Sequence, residues 1–152
     1  MTKDIRHSFR FSADAQGVAR ALIEPEQIGQ WWTTEVVAVG DLLVLGWSGH
    51  GFEVSIRPSV SSDARRVVWK CVRSNMQHTD AWVGSEIIFE LTPEGGATRV
   101  EFAHTGYKDS PCYEVCVEGW AFFVGVSLKK FLETGQGLPY PVVEDTSKLS
   151  KA

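Results

Sequence analysis

The sequence predicts an α+β domain in which a curved antiparallel sheet wraps around one long C-terminal helix, with two short helices after the first strand. Three observations support this prediction. Apolar and polar residues alternate from Val36 to His104, as in strands that bury one face. Turn-forming glycine, proline, serine and aspartate interrupt the alternation at fairly regular intervals. A long apolar stretch with helix signals follows it.

The N-terminal segment is expected to form a strand and the two short helices. Residues 4–11, DIRHSFRF, alternate as a strand. Ser12 is expected to cap a helix over residues 13–23, ADAQGVARALI, which Pro25 ends. Residues 25–32, PEQIGQWW, carry proline and acidic residues in their first turn and are expected to form the second helix.

Two adjacent tryptophans end this second helix. Neighbouring side chains point in different directions, so Trp31 and Trp32 cannot share one environment. We expect one indole to anchor the helix pair in the core and the other to face a cavity. The sequence does not say which indole does which, and the alternative is that both fill core volume.

The strands from Val36 onward are predicted to have one apolar and one solvated face, as in a sheet with one side in water. Alternation places on the apolar face Leu43, Leu45, Trp47, Phe52, Val54, Ile56, Val67, Trp69, Cys71, Ile87, Phe89, Leu91, Val100, Phe102 and His104. The opposite positions include Glu53, Arg57, Lys70, Glu86, Glu90, Arg99 and Glu101. Residues 73–84 form the longest irregular connection.

The last predicted element is a long helix. Ser110 is expected to be its N-cap, Pro111 its first residue and Gly135 the residue just beyond its last turn. About 24 residues at 1.5 Å each give a length of roughly 36 Å, enough to cross a sheet. Its apolar face is expected to contain Cys112, Cys116, Trp120, Phe123 and Phe131. We expect a single domain over residues 1–140 and a C-terminal tail over 141–152.

Composition and charge exclude several classes of protein. The chain has 152 residues, enough for one domain with one core. Its net charge is −4 and its basic residues are scattered, which argues against a nucleic-acid partner. No apolar run approaches the ~20 residues that cross a bilayer. Three cysteines without disulfide spacing suit a reducing compartment, so we expect a cytoplasmic protein without membrane insertion.

A curved sheet cannot contact a straight helix across its full width, so we expect a cavity where the two diverge, with the short helices at its mouth. Six tryptophans and eight phenylalanines supply rigid aromatic walls. The residues expected to line it are Trp31, Trp32, Trp47, Phe52, Trp69, Phe89, Phe102, His104, Tyr113 and Trp120. His104 and Tyr113 are the expected polar contacts. The alternative for His104 is an imidazole satisfied by backbone or water.

The sequence indicates no metal site and no cofactor. Cys112 and Cys116 are one helical turn apart, but this spacing lacks the tight geometry of zinc sites, so we expect both to pack the helix onto the sheet. The nucleophile elbow, the phosphate-binding loop and the HExxH motif are absent from the sequence. Whether the protein catalyses a reaction stays open.

Several segments resemble one known family. They are FRFSADAQGVARALIEPEQIGQWWT, VVWKC, WVGSEIIFELTP, TRVEFAHTGY and CVEGWAFFVGVSLKKFLETGQGLPY, and the resemblance spans nearly residues 3–140. The chain resembles the activator of heat-shock protein 90 ATPase homologue-like family within the START-like (SRPBCC) superfamily. The most specific parts are WW after the second short helix and GW…SLKKFLETGQG in the long helix.

The resemblance implies a helix-grip fold around a deep hydrophobic cavity, and the binding of a small apolar molecule that is aromatic, lipid-like or polyketide-like. It also implies two alternatives. One is a cyclase- or dehydratase-type enzyme with His104 as acid or base in the same cavity. The other is a module that binds a chaperone. We therefore expect a small apolar ligand as partner, with a homodimer and a chaperone partner as further alternatives.

Overall fold

The computed structural model describes residues 4–106 and 113–142, and the fold is given for these residues. They form one antiparallel sheet with the strands β1 (Ile5–Phe11), β2 (Glu35–Val39), β3 (Leu42–Trp47), β4 (Phe52–Val60), β5 (Arg66–Ser74), β6 (Glu86–Glu94) and β7 (Ala97–Thr105). The strand order is β1-β7-β6-β5-β4-β3-β2, so each strand from β2 to β7 pairs with the next along the chain. This confirms the predicted sheet.

The helices also follow the predicted order. After β1 come α1 (Ala15–Ile23) and α2 (Pro25–Ile28). The C-terminal helix, residues 113–134, has three contiguous segments: α3 (Tyr113–Phe122), a π-helical segment (Phe123–Leu128) and α4 (Lys129–Thr134). Gly135 ends it with a φ of 89°, a backbone conformation that favours glycine. The α+β helix-grip architecture is thereby confirmed.

The strand periodicity placed the core correctly. Every residue assigned to the apolar face is buried, except Phe52, which is half-buried. The sheet also has a local irregularity between β4 and β5, where Ser55 pairs with Arg73 and Ile56 pairs with Cys71. Val72 is therefore an extra residue on β5, and a bulge of this kind bends a strand.

Two expectations about the helix ends need correction. Asp14, not Ser12, caps α1, because the Asp14 carboxylate accepts a hydrogen bond from the backbone N–H of Gly17 at 2.7 Å. The second helix ends at Ile28, and the two tryptophans lie in the turn that follows. Ser110, Pro111 and Cys112 lie outside the described residues.

The buried face of the C-terminal helix differs from the expected one in its second half. Cys116 and Trp120 are buried as expected, whereas Phe123 and Phe131 are half-buried. The buried positions beyond Trp120 are Val124, Ser127 and Leu128. A π-helical turn holds more residues than an α-helical turn, so it shifts which residues point at the sheet.

The segment after the C-terminal helix returns to the two tryptophans. The Ser127 hydroxyl donates to the carbonyl of Trp31 at 2.6 Å and accepts from the N–H of Leu138 at 2.7 Å. A Cβ at Gly137 would lie 3.0 Å from the Cα of Trp31, so this close backbone approach requires glycine. The N–H of Tyr140 donates to the carbonyl of Trp32 at 2.9 Å. The WW and SLKKFLETGQG stretches are therefore in direct contact.

Candidate functional site

A cleft of about 300 Å³ lies between the sheet and the first half of the C-terminal helix. Its lining residues are Trp32, Trp47, His50, Phe52, Met76, Gln77, Trp82, Val115, Cys116, Gly119, Trp120 and Phe123. We call it the tryptophan cleft. Its four indoles, Met76 and Cys116 are buried, whereas His50 and Val115 are exposed, so these two residues mark its mouth.

The cleft is apolar and of modest size. Among its described lining residues there is no aspartate, glutamate, lysine or arginine. Ligand pockets usually have volumes of roughly 300–1,000 Å³ and mostly apolar walls. An apolar cavity of ~150 Å³ accepts benzene, so this volume is suited to a molecule of about two rings.

The six tryptophans form one contiguous aromatic cluster. The Trp32 ring stacks on Trp69 with a centroid distance of 5.1 Å and an interplanar angle of 9°. It also contacts Trp47 at 5.4 Å and Trp120 at 5.3 Å. Trp82 stacks on Trp120, at 5.4 Å and 20°. Flat rings in mutual contact form walls that keep their shape when the space between them is empty.

The end of α1 explains why Trp31 and Trp69 face away from the cleft. The carbonyl of Ala21 would normally accept a hydrogen bond from the N–H four residues later, but that residue is Pro25, which has none. The indole Nε1–H of Trp31 donates to this carbonyl at 2.8 Å. The Nε1–H of Trp69 donates to the next carbonyl, that of Leu22, at 2.7 Å. Two core indoles therefore cap the C-terminal end of α1.

The two adjacent tryptophans are both buried and their rings stack on each other, with a centroid distance of 5.9 Å and an interplanar angle of 11°, so the expectation that they cannot share one environment is wrong. Trp31 is buried against α1, whereas Trp32 lines the tryptophan cleft. The expectation that the short helices lie at the mouth is wrong, because no residue of α1 or α2 lines the cleft. The mouth is formed instead by the β3–β4 turn, the turn around Gln77 and the first described turn of the C-terminal helix.

His104 lies beneath the cleft lining and links the helix to the sheet. Its Nδ1 accepts from the Nε1–H of Trp120 at 3.2 Å, and its Nε2 lies 2.8 Å from the hydroxyl of Ser85. An indole nitrogen only donates, so Nδ1 carries no proton and Nε2–H donates to Ser85. The Ser85 hydroxyl in turn donates to the carbonyl of Trp82 at 2.6 Å. The imidazole is therefore neutral, with both nitrogens engaged.

Burial reinforces the neutral state of His104. The side chain is fully buried, and desolvation of the charged form lowers its pKa to about 3. A group with this pKa is a poor general acid or base near neutral pH. The geometry of His104 thus suits a structural link better than proton transfer in the cleft.

The other predicted site residues are divided between the cleft and its surroundings. Of the ten, the structure brings together Trp32, Trp47, Phe52 and Trp120 around the cleft. Trp31, Trp69, Phe89, Phe102 and His104 are buried outside the lining. Tyr113 is also outside it, because its hydroxyl donates to the carbonyl of Asp4 at 3.1 Å.

The remaining lining residues were not among the predicted site residues: His50, Met76, Gln77, Trp82, Val115, Cys116, Gly119 and Phe123. Four of them lie in turns or irregular segments, where alternation gives no information about direction. Gly119 has no side chain to mark it, and Val115 belongs to the exposed side of the helix. Only Cys116 and Phe123 were identifiable from the sequence, since both belong to the predicted apolar face of the C-terminal helix.

Trp82 differs from three of the other indoles in its hydrogen bonding. It is 4 % exposed, and its Nε1 has no hydrogen-bond partner within the described part of the chain. The indoles of Trp31, Trp69 and Trp120 all donate to an acceptor. A buried N–H without an acceptor costs about 1–3 kcal/mol.

The two cysteines within the described residues, Cys71 and Cys116, are free and buried. No group of three or more potential metal ligands occurs in residues 4–106 and 113–142. Cys71 lies on the inner face of the sheet, where burial raises the pKa of its thiol to about 12 and keeps it protonated. Cys116 is buried in the cleft wall.

Comparison with known proteins identifies the family. The family model described as "Activator of Hsp90 ATPase homolog 1-like protein" matches residues 12–133, most of the chain. The chain belongs to this family. No curated protein matches the sequence significantly.

Solved structures share the fold of this chain. The Aha1 protein of Colwellia psychrerythraea, solved in solution as a dimer, is 24% identical with a TM-score of 0.75 over 90% of this chain and 100% of that one. A Staphylococcus saprophyticus protein is 19% identical with a TM-score of 0.65 over 89% and 95% of the two chains. DynU16, from the dynemicin biosynthetic locus, has the same identity and TM-score over 90% and 49%.

In this family member the described residues contain no helix long and apolar enough to span a membrane. Two of the stretches on which the resemblance was based, around Trp31 and around Ser127, bond to each other through the Ser127 hydroxyl and the Trp31 carbonyl.

Proposed function

We propose that this protein binds a small, mostly apolar, ring-containing molecule in the tryptophan cleft. The observation that carries the proposal is a space of about 300 Å³ walled by four indoles, with no acidic side chain, lysine or arginine among its described lining residues. Stacking on flat rings and removal of apolar surface from water favour such a ligand. A charged ligand would lose its hydration without gaining a charged partner.

The direct test is a titration of the purified protein with a panel of two-ring aromatics, flavonoids, polyketide-like aromatics, fatty acids and sterols. Binding should change the tryptophan fluorescence, because the ligand would contact Trp32, Trp47, Trp82 and Trp120 at once. We expect the strongest response from the two-ring molecules. A flat response across the panel, with no heat in calorimetry, would contradict the proposal.

Gly119 allows the cleft to be filled without damage to the fold. A Cβ at this position meets no atom within 4 Å, and a side chain in place of glycine favours the helix. Gly119→Phe should weaken binding at least tenfold, whereas Gly119→Ala should change it little. Val126→Phe is the matched control, because Val126 is 47% exposed on the same helix and does not line the cleft.

A cyclase- or dehydratase-type reaction in the same cleft is the first alternative. His104 does not favour it, because the imidazole is neutral and bonded to Trp120 and Ser85. Turnover of a bound ligand that is lost in His104→Gln, while the ligand still binds, would restore the enzyme hypothesis.

Interaction with a chaperone is the second alternative, and the family match favours it. The exposed valines Val37 and Val39 on the edge strand β2, 58% and 55% exposed, offer an apolar surface for it. Stimulation of an Hsp90 ATPase that is lost in a Val37→Lys, Val39→Lys double variant would support this function. A homodimer and a cytoplasmic location also remain proposals, testable by sedimentation and by cell fractionation.

A further inference from the structure

We propose that two copies of this chain pair through the edge strand β2, antiparallel to each other, about a two-fold axis that passes beside Val37. The sheets of the two copies would then join into one continuous sheet. The inference does not depend on the proposed ligand, because no residue of β2 lines the tryptophan cleft. Its basis is a difference between the two edge strands of the sheet.

The two edge strands, β1 and β2, differ in their protection against further pairing. On β1, Arg6 and Arg10 are exposed, and the carbonyl of Arg10 accepts a hydrogen bond from Nζ of Lys129 at 3.2 Å. Charged side chains and occupied backbone groups discourage the pairing of another strand. The sequence of β2, EVVAV, contains no lysine, arginine or proline. It therefore lacks the residues that usually protect an edge strand.

The side chains of β2 add apolar surface to this edge. Val37 and Val39 are 58% and 55% exposed. Val37 lies opposite Val44 of β3, and Val39 lies opposite Leu42. Opposite residues of an antiparallel pair share a face of the sheet, and here it is the outer face, because the next residue, Leu43, is buried in the core. A contiguous apolar patch on the surface indicates an interaction site.

The symmetry of β2 favours a second copy as the partner. A two-fold dimer uses the same surface of both copies, so its edge strands must pair antiparallel. In a register centred on Val37, this residue faces Val37 of the second copy, and Val36 faces Ala38. Facing residues are then an even number of positions apart, so both strands present matching backbone groups and matching faces. On the outer face, Val44 and Val37 of one copy continue into Val37 and Val44 of the other.

The charges near β2 are compatible with this register. The carboxylate of Glu35, the one charged residue of the strand, accepts from the N–H and the hydroxyl of Ser48 at 3.1 and 2.6 Å. In this register Glu35 faces Val39 of the second copy instead of another carboxylate. Asp41, just beyond the strand, forms an ion pair with Arg57 at 2.8 Å. Two identical acidic chains can therefore meet at this edge without placing unpaired carboxylates opposite each other.

The first test is sedimentation velocity of the full chain from about 1 to about 200 µM, because a short interface is expected to give a micromolar dimer. Val37→Lys would place two ammonium groups opposite each other at the axis, so it should weaken the dimer at least tenfold. Val126→Lys is the matched control, since Val126 is 47% exposed on the C-terminal helix, outside β2, and its replacement should leave the dimer unchanged. Circular dichroism checks that both variants are folded.

The second test examines the register by disulfide formation. Facing Cα atoms of an antiparallel pair are about 4.5–5.5 Å apart, within the range that a disulfide spans, so Val37→Cys should cross-link two copies under mild oxidation. Val39→Cys is the matched control, because its two cysteines would lie four residues apart along the strands, roughly 14 Å, and should not cross-link. The unmodified protein gives the background from the native cysteines. This test applies even if Val37→Lys fails to fold.

Several outcomes would overturn the inference. They are a monomer at all concentrations, a dimer that Val37→Lys does not weaken, and equal cross-linking of the two cysteine variants. Chaperone binding by a monomer, lost in Val37→Lys, would assign β2 to the chaperone instead. None of these results bears on ligand binding in the cleft, and a flat ligand titration would leave the predicted dimer unaffected.

Discussion

The aromatic cluster has two ends. Its closed end lies under α1 and its open end lies at the tryptophan cleft, and both ends consist of tryptophans. At the closed end, Trp31 and Trp69 donate their N–H groups to the last carbonyls of α1. At the open end, Trp82 faces no such carbonyl and its N–H is unpaired within the described residues. The difference shows that indoles of one aromatic cluster differ in hydrogen bonding according to the backbone groups that surround them.

The backbone segments that pack over each end explain this difference in hydrogen bonding. A helix that terminates over the sheet brings unbonded carbonyls, because its last four have no partner within the helix. The open end is covered by turns and by the side of a helix, whose backbone groups are already bonded. The closed end is therefore expected to contribute more to stability, and the open end to recognition.

The largest expected effect separates the two adjacent tryptophans. Trp31→Phe should lower the free energy of unfolding by about 3 kcal/mol, since it leaves a void and an unbonded Ala21 carbonyl. Trp32→Phe should cost only about 1 kcal/mol, because Trp32 borders space that is already empty. Urea unfolding followed by circular dichroism measures both. Equal losses would remove the distinction between the two ends.

The next effect concerns the contact between the closed end and the C-terminal segment. Ser127→Ala leaves the Trp31 carbonyl and the Leu138 N–H without their partner, so we expect a loss of about 2–3 kcal/mol. Ligand binding by the folded variant should be unchanged, because Ser127 does not line the cleft. The exposed Ser59→Ala is the control, with an expected change within about 0.5 kcal/mol. A loss similar to that of the control would contradict the prediction.

A smaller effect is the pH dependence of stability that His104 causes. Burial lowers the pKa of His104 from 6.5 to about 3, so below pH 6.5 the unfolded chain binds a proton that the folded protein does not. This contribution to stability is present above pH 6.5 and is lost as the pH falls. Between pH 7 and pH 5 the loss should be about 2 kcal/mol.

His104→Gln is the matched control, because glutamine retains one acceptor and one donor without titrating in this range. The stability of the native sequence should fall more steeply than that of the variant from pH 7 to pH 5. Parallel curves, or a His104 ring signal that titrates near pH 6.5, would show that the imidazole is not held neutral.

Hydrophobic periodicity in the sequence was sufficient to predict most of the fold and part of the candidate site. The strands were predictable because alternation reports directly on which side chains face the core, as with Trp47, Trp69 and Phe102. The lining residues Gln77 and Trp82 were not, because they lie in an irregular segment where direction depends on contacts distant in the sequence. The same limit applies to Phe123, whose direction depends on the π-helical segment.

The sequence by itself determined the strand faces and the order of the helices. The separate contacts of Trp31 and Trp32 came only from the tertiary structure, because Pro25 leaves the Ala21 carbonyl free and folding brings Trp31 to it. Tertiary structure also moved His104 from an expected ligand contact to a link between Trp120 and Ser85. Hydrogen bonds between residues far apart in the chain decide these roles, and no local pattern encodes them.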